Sequence, residues 1–229
     1  MNAKFELPGI VPWGRTFKEY EAFFALDAAA LAGPVLDAGA GPSSFTGELC
    51  ARGGQGLAAD PLYAEASADI AARFEAARAP MRKAMREAKE RFNWKTYGSE
   101  SALEALRAET LQAFMADRAR APERYIAASL PKLPFADGAF HLALCSHLLF
   151  LYGDDLDAAF HLRAVKELAR VAGEVRIFPL FNLDGRPSSH LPCVMKRLRL
   201  EGYVCETVRV PFEFQLGATQ MLKVKGPAQ

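Results

Sequence analysis

Apolar residues along this chain fall into two patterns. Short runs of mostly apolar residues alternate with longer stretches in which apolar positions recur every three or four residues. The first pattern predicts buried strands, the second amphipathic helices. Strands are expected at 34–38, 56–59, 124–128, 141–146, 174–179, 204–210 and 221–225, with helices at 44–52, 154–171 and 188–201. In the second helix Leu156, Phe160, Ala164 and Leu168 recur at spacing four, which makes a face for packing on a sheet. Alternating strand and helix predicts an α/β fold with a doubly wound, mostly parallel sheet of seven strands. The last two strands differ. Only a turn, Phe212 to Gly217, separates them, so they are expected to pair as an antiparallel C-terminal hairpin.

One segment breaks the alternation. About sixty residues lie between Asp60 and Arg124, far more than a strand-helix-strand connection needs. Phe74, Ala77, Met81, Met85, Ala88 and Phe92 form one helical stripe; Leu103, Leu106, Thr110 and Phe114 form another after a capping box at Ser101 and Glu104. A helical insertion over 64–122, following the second strand, is predicted to form a hairpin at the sheet's ligand-binding edge and to cap the site. The competing reading is an enlarged core or a dimer contact. Residues 73–95 hold eight cations (Arg73, Arg78, Arg82, Lys83, Arg86, Lys89, Arg91, Lys95) against Glu75, Glu87 and Glu90. Trp94 and Tyr97 interleave with them, as on a surface that holds phosphates and stacks bases. A solvated helix face places its cations the same way.

Composition narrows the choice. The chain has 229 residues and is 51% hydrophobic, which suits a single domain, 1–229, with a leader at 1–33. The net charge of +1 supplies no general attraction to polyanions. Cys50, Cys145, Cys193 and Cys205 show no metal-ligand spacing, so no metal is expected, and a reducing, cytoplasmic setting is. No apolar signal segment opens the sequence, and the longest apolar run, near 142–151, contains His147 and is too short to span a bilayer. A monomer or homodimer without a membrane partner is expected.

The first strand runs into Val35-Leu36-Asp37-Ala38-Gly39-Ala40-Gly41-Pro42-Ser43-Ser44, a turn that admits a ligand to the backbone. Ser44 stands where a dinucleotide fingerprint has its third glycine, and the phosphate-binding G-x-x-x-x-G-K-[ST] pattern is absent. A second acid, Asp60, ends the next apolar run. Paired acids suit a ligand that carries an amino group and a ribose, because carboxylates accept hydrogen bonds from both. This pattern resembles motif I and the following acid of class I S-adenosylmethionine (SAM) dependent methyltransferases, which have a Rossmann-like sheet. The stretch from Tyr125 to Phe140, with Leu133-Pro134-Phe135 and Asp137, is similar to their adenine-side segment, with Ser129 in place of the usual acid and His141 in place of a second Asp.

The resemblance implies SAM as cofactor, held by Asp37, Gly39, Gly41, Asp60, Pro61, Leu62, Ser129, Leu130 and Ser146. It places His147, at the end of the fourth strand, as the candidate base or orienting group. In the leader, Arg15 is the expected partner of the SAM carboxylate, while Trp13 and Tyr20 line the acceptor pocket. His190 is a further substrate-side candidate. Cys145 lacks a preceding proline and no N-P-P-Y or D-P-P-Y follows, which disfavours both common DNA base-methylation routes. The expected function is methyl transfer to a small molecule. The alternatives are an RNA methyltransferase that uses the basic insertion, and a non-catalytic SAM-fold binding subunit.

Overall fold

The computed structural model describes residues 9–153 and 155–227. The first eight residues of the expected leader, and the expected helix start at Asp154, lie outside the described residues. All four residues of β1 (Val35–Ala38) are buried, as a strand covered on both faces must be. Around it the strands β2 (Gly56–Ala59), β3 (Tyr125–Ile126), β4 (Phe140–Ser146), β5 (Ala172–Phe178), β6 (Val204–Arg209) and β7 (Gln220–Lys225) form one sheet of order β3-β2-β1-β4-β5-β7-β6. β1 pairs in parallel with β2 and β4, and β4 with β5. β7 runs antiparallel to β5 and to β6, with Cys205 opposite Val224 and Thr207 opposite Leu222. This is the seven-stranded, mostly parallel sheet with a reversed C-terminal hairpin expected from the sequence.

Strand alternation splits the core. Leu142 and Leu144 of β4 face a cluster with Phe17, Tyr20, Phe45 and Phe178, whereas Ala143 and Cys145 face one with Val165 and Leu168. The second cluster is built on α5 (Ala158–Val171) and α6 (Leu191–Leu200), the first on α1 (Phe17–Phe24) and α2 (Phe45–Ala51). α1 was not among the expected helices. Its signal is a capping box, Thr16 with Glu19, followed by the buried Tyr20, Phe23 and Phe24.

The insertion consists of α3 (Ser67–Glu87) and α4 (Glu100–Arg120), joined by two short 3-10 turns. α3 buries Ile70, Phe74, Ala77, Met81, Ala84 and Met85, close to the expected stripe. α4 departs from expectation. Its N-cap is Ser99, whose hydroxyl accepts from Ala102 N–H at 3.1 Å, and Glu104 pairs with Arg82 at 3.1 Å instead of closing a capping box on Ser101. Two charged residues, Arg107 and Asp117, occupy buried positions on its inner face. Elsewhere the boundaries shift for local reasons. α5 starts after Asp157, which caps it by accepting from Phe160 N–H at 2.6 Å, and β3 stops at Ile126 where pairing to β2 ends. No described helix is long and apolar enough to cross a membrane.

Candidate active site

A cavity of about 400 Å³ opens at the carboxyl ends of β1, β2 and β4, beneath α3 and α4. Its floor is the turn after β1. Gly39 and Gly41 have φ of +67° and +55°, and a Cβ at Gly39 would lie 2.4 Å from Leu148 Cδ2, so a side chain there would strain the backbone and displace Leu148. At Gly41 a Cβ would meet open space, and the backbone is bare toward the cavity. Asp60 braces this turn: Gly41 N–H donates to its Oδ2 at 2.8 Å and Leu62 N–H to its Oδ1 at 2.9 Å. Tyr63 Oη–H donates to Gly41 O at 2.7 Å from the other side.

Asp37 lies under the floor, not in the cavity wall. It is fully buried; Tyr20 Oη–H donates to its Oδ1 at 3.0 Å, and its Oδ2 has no hydrogen-bond partner among the described residues. Burial, set against the Tyr20 bond, pushes its carboxyl up to about 8. Asp60 is also raised, by burial that outweighs its two backbone bonds.

The leader is laid across this floor. A Cβ on Gly14 would sit 2.0 Å from Pro42 O, while Ser44 N–H and Ser43 Oγ–H donate to Arg15 O at 3.1 and 2.9 Å. The Arg15 guanidinium lines the cavity and donates to Trp13 O and to Gly14 O. No carboxylate of the described residues lies within ion-pair distance of it. Burial and the nearby Arg107 lower Arg15 to about 10, which leaves it charged at neutral pH. Arg107, from α4, fixes the leader: it donates to Gly14 O at 3.0 Å, to Tyr97 Oη at 3.0 Å and to both carboxylate oxygens of Glu19.

At the end of β4, Ser146 Oγ lies 2.8 Å from His147 Nδ1. His147 adopts a φ of +55°, unusual for a residue with a side chain, and its N–H donates to Phe178 O at 2.7 Å. Its ring packs against the stacked pair Phe23 and Phe178, with centroids 4.9 and 5.6 Å away. Burial first, then Arg15 and Arg107, push the imidazole well below its usual range, so it is neutral at physiological pH.

Most of the residues singled out in the sequence meet here. Trp13, Arg15, Tyr20, Gly39, Gly41 and Asp60 line the cavity, as do Pro61, Leu62, Ser129, Leu130, Ser146 and His147. His190 does not. Its Nε2 lies 2.8 Å from Gly153 O, and its ring stands 5.2 Å from His161, whose own Nε2 accepts from Phe150 N–H. These two histidines brace the loop after β4. Sequence reasoning missed Arg107, Phe212 and Phe214 and read Tyr97 only as part of a base-stacking surface; all four line the cavity. Arg107 carried one signal, a spacing of four from Leu103 and seven from Phe114 on the helix's apolar side.

No protein-family model matches the chain. The uncharacterized protein MJ0045 of Methanocaldococcus jannaschii is 30% identical over 213 residues, which cover 93% of this chain and 94% of that one. The two proteins belong to one family. Among solved structures, the pyocyanin biosynthetic protein PhzM overlays with a TM-score of 0.46 at 17% identity, covering 92% of this chain. The chain spans about half of that protein, 54% of its length. A TehB-like SAM-dependent methyltransferase from Corynebacterium glutamicum gives 0.43 at 15% identity over 86% of this chain and 80% of its own. The fold assignment rests on the sheet order, not on these overlaps.

Proposed function

We propose that this protein binds SAM and transfers its methyl group to a small-molecule acceptor. The observation that carries the reading is a pair of uncompensated groups on one glycine turn. Asp37 Oδ2 lacks a partner below the floor, and Arg15 lacks a carboxylate above it. A ligand with an amino-acid end sets its carboxylate against Arg15 on the cavity wall and its cationic amino group over the floor, where its field draws the buried Asp37 toward ionisation without contact. Asp60, with a free lone pair on each oxygen, suits ribose hydroxyls, and Ser129 and Leu130 suit the adenine. The residues present therefore fit SAM, whose sulfonium supplies an activated methyl group when bound.

The chain's own tasks are positioning and proton handling. The glycine turn, Asp60 and Arg15 hold the cofactor in line with the acceptor, which is the main requirement of a displacement reaction. His147, kept neutral by its surroundings, orients an acceptor hydroxyl or amine, or accepts its proton. Support for a small molecule comes from the insertion. Arg78 pairs with Glu75, Arg82 with Glu104, Lys83 with Glu87 and Arg86 with Glu100, so the basic run is largely matched by acids. Trp94 donates to Lys89 O and packs edge-on to Phe92 and Phe214, as part of the aromatic cluster rather than as a platform for bases. Calorimetry with SAM, S-adenosylhomocysteine and NAD tests the proposal. Micromolar or tighter binding of the first two and none of NAD is expected; tight NAD binding without SAM binding overturns it.

A further inference from the structure

The acceptor end of the cavity has a chemistry of its own. From His147 an unbroken row of rings leads outward: Phe178 at 5.6 Å, then Phe212 at 5.9 Å from Phe178, Tyr97 at 6.3 Å from Phe212, and Phe214 at 4.8 Å from Tyr97. The thioethers of Met81 and Met85 line the same space from α3. Methionine is polarizable and adapts its shape to a flat ring, and aromatic walls favour ring partners in stacked or edge-on contact.

The charges at this end are already matched. Arg107 is neutralised by Glu19, with both side chains buried, and Tyr97 Oη–H is committed to that same carboxylate. Burial, with Arg15 and Arg107 nearby, holds His147 neutral. Arg73 is paired with Glu65, so among the described residues that line the cavity Arg15 is the remaining cation, and the methyl-transfer reading assigns it to the cofactor. A charged acceptor group laid among these rings would lose its hydration with no opposite charge to meet, which is costly.

We propose that the acceptor is an uncharged, largely aromatic molecule, laid along Phe178, Phe212 and Phe214 with its methyl-accepting group at His147. The proposal rests on the methyl-transfer reading and narrows it from small molecules in general to this class.

The test uses the full chain with S-adenosylhomocysteine and three naphthalene probes of one shape: 2-naphthol, 2-naphthoate and 2-naphthylmethylammonium. With the product bound, 2-naphthol should bind at least about tenfold more tightly than either ion. Phe214→Asp should weaken 2-naphthol by about tenfold and leave S-adenosylhomocysteine affinity unchanged. Equal or tighter binding of naphthoate or of the ammonium probe, no binding of any probe, or indifference to Phe214→Asp overturns the acceptor assignment while the cofactor assignment stands. Failure of S-adenosylhomocysteine to bind at all overturns both.

Discussion

Arg107 of α4 and Glu19 of α1 form a two-armed ion pair, with Nη1 at 2.7 Å from Oε2, although they lie far apart in sequence and both side chains are buried. The pair ties the insertion to the leader at the point where Gly14 and Arg15 cross the glycine turn. Because the leader carries Arg15, and the insertion carries Met81, Met85 and Tyr97, one contact sets the distance between the two sides of the cavity.

Removing one partner should be harmful out of proportion to its size. Arg107→Met leaves a buried carboxylate unpaired and is expected to cost about 3–5 kcal/mol in urea unfolding. The double change Glu19→Gln with Arg107→Met should restore much of that loss. Acid unfolding gives a second readout. Burial opposes ionisation of Glu19, but the Arg107 charge and hydrogen bonds hold its carboxyl at about 2, below its ordinary 4.5. A depressed carboxyl contributes stability that is present above pH 4.5 and is lost as pH falls toward 2. In Arg107→Met this acid-side loss should disappear.

Asp37 has the opposite sign. Its raised carboxyl favours the folded state below pH 3.8, and that contribution declines as pH rises through about 8. Asp37→Asn keeps the shape without the titration, so the variant should be more stable than the wild type at pH 8 and show a flatter profile from pH 4 to 8. The same change should weaken SAM. In the wild type, a bound cationic amino group draws Asp37 toward its ionised form, so SAM binding at pH 7 should release protons, detectable as a dependence of the calorimetric heat on buffer. Absence of that release in the wild type, or unchanged SAM affinity in Asp37→Asn, counts against a role for Asp37 beneath the amino group.

The sheet was legible because its strands are short apolar runs separated by helix-length amphipathic stretches, and the turn after β1 because its glycines follow an acid. The two strands around Phe212 to Gly217 could only pair as a hairpin. The second wall of the site was less legible. Arg107 and Asp117 occupy apolar-face positions on α4, where hydrophobic periodicity has no means of recognising a charge that is neutralised by a distant partner. Phe212 and Phe214 read as a turn and proved to be a wall, because burial in a loop follows from what folds over it and not from local pattern. His190 pointed toward the site only through its place before α6; its bond to Gly153 O commits it elsewhere.

Arg15 offers a test that separates the two ends of the cofactor. Arg15→Leu should weaken SAM by about 1.5–3 kcal/mol, the scale of hydrogen bonds to a charged group. It should leave 5′-methylthioadenosine, which has the same nucleoside but no amino-acid end, within about twofold, well under the 1.4 kcal/mol of a tenfold change. Parallel losses for both ligands would mean that the variant had disturbed the glycine turn, which Arg15 touches through its backbone. Equal retention of both would leave the carboxylate to another group.

His147 is the residue on which the chemistry turns. Its imidazole faces the cavity beside Ser146, and burial together with Arg15 and Arg107 keeps it unprotonated through neutral pH. The same burial and cations oppose the imidazolium that proton transfer would form, which weakens it as a base, but the imidazole is unprotonated when the acceptor arrives. Wild-type kcat should therefore stay level from neutral pH down past the usual histidine range, with any acidic limb displaced below 6.5. If His147 removes the acceptor's proton, His147→Ala should lower kcat by about 10²-fold or more with SAM affinity little changed. His147→Asn separates the possible roles, because an amide orients a hydroxyl by hydrogen bonding but takes no proton near pH 7. A kcat in the Asn variant as low as in the Ala variant identifies the base. A kcat near wild type in Asn, with loss only in Ala, identifies an orienting group, and the acceptor must then lose its proton to solvent.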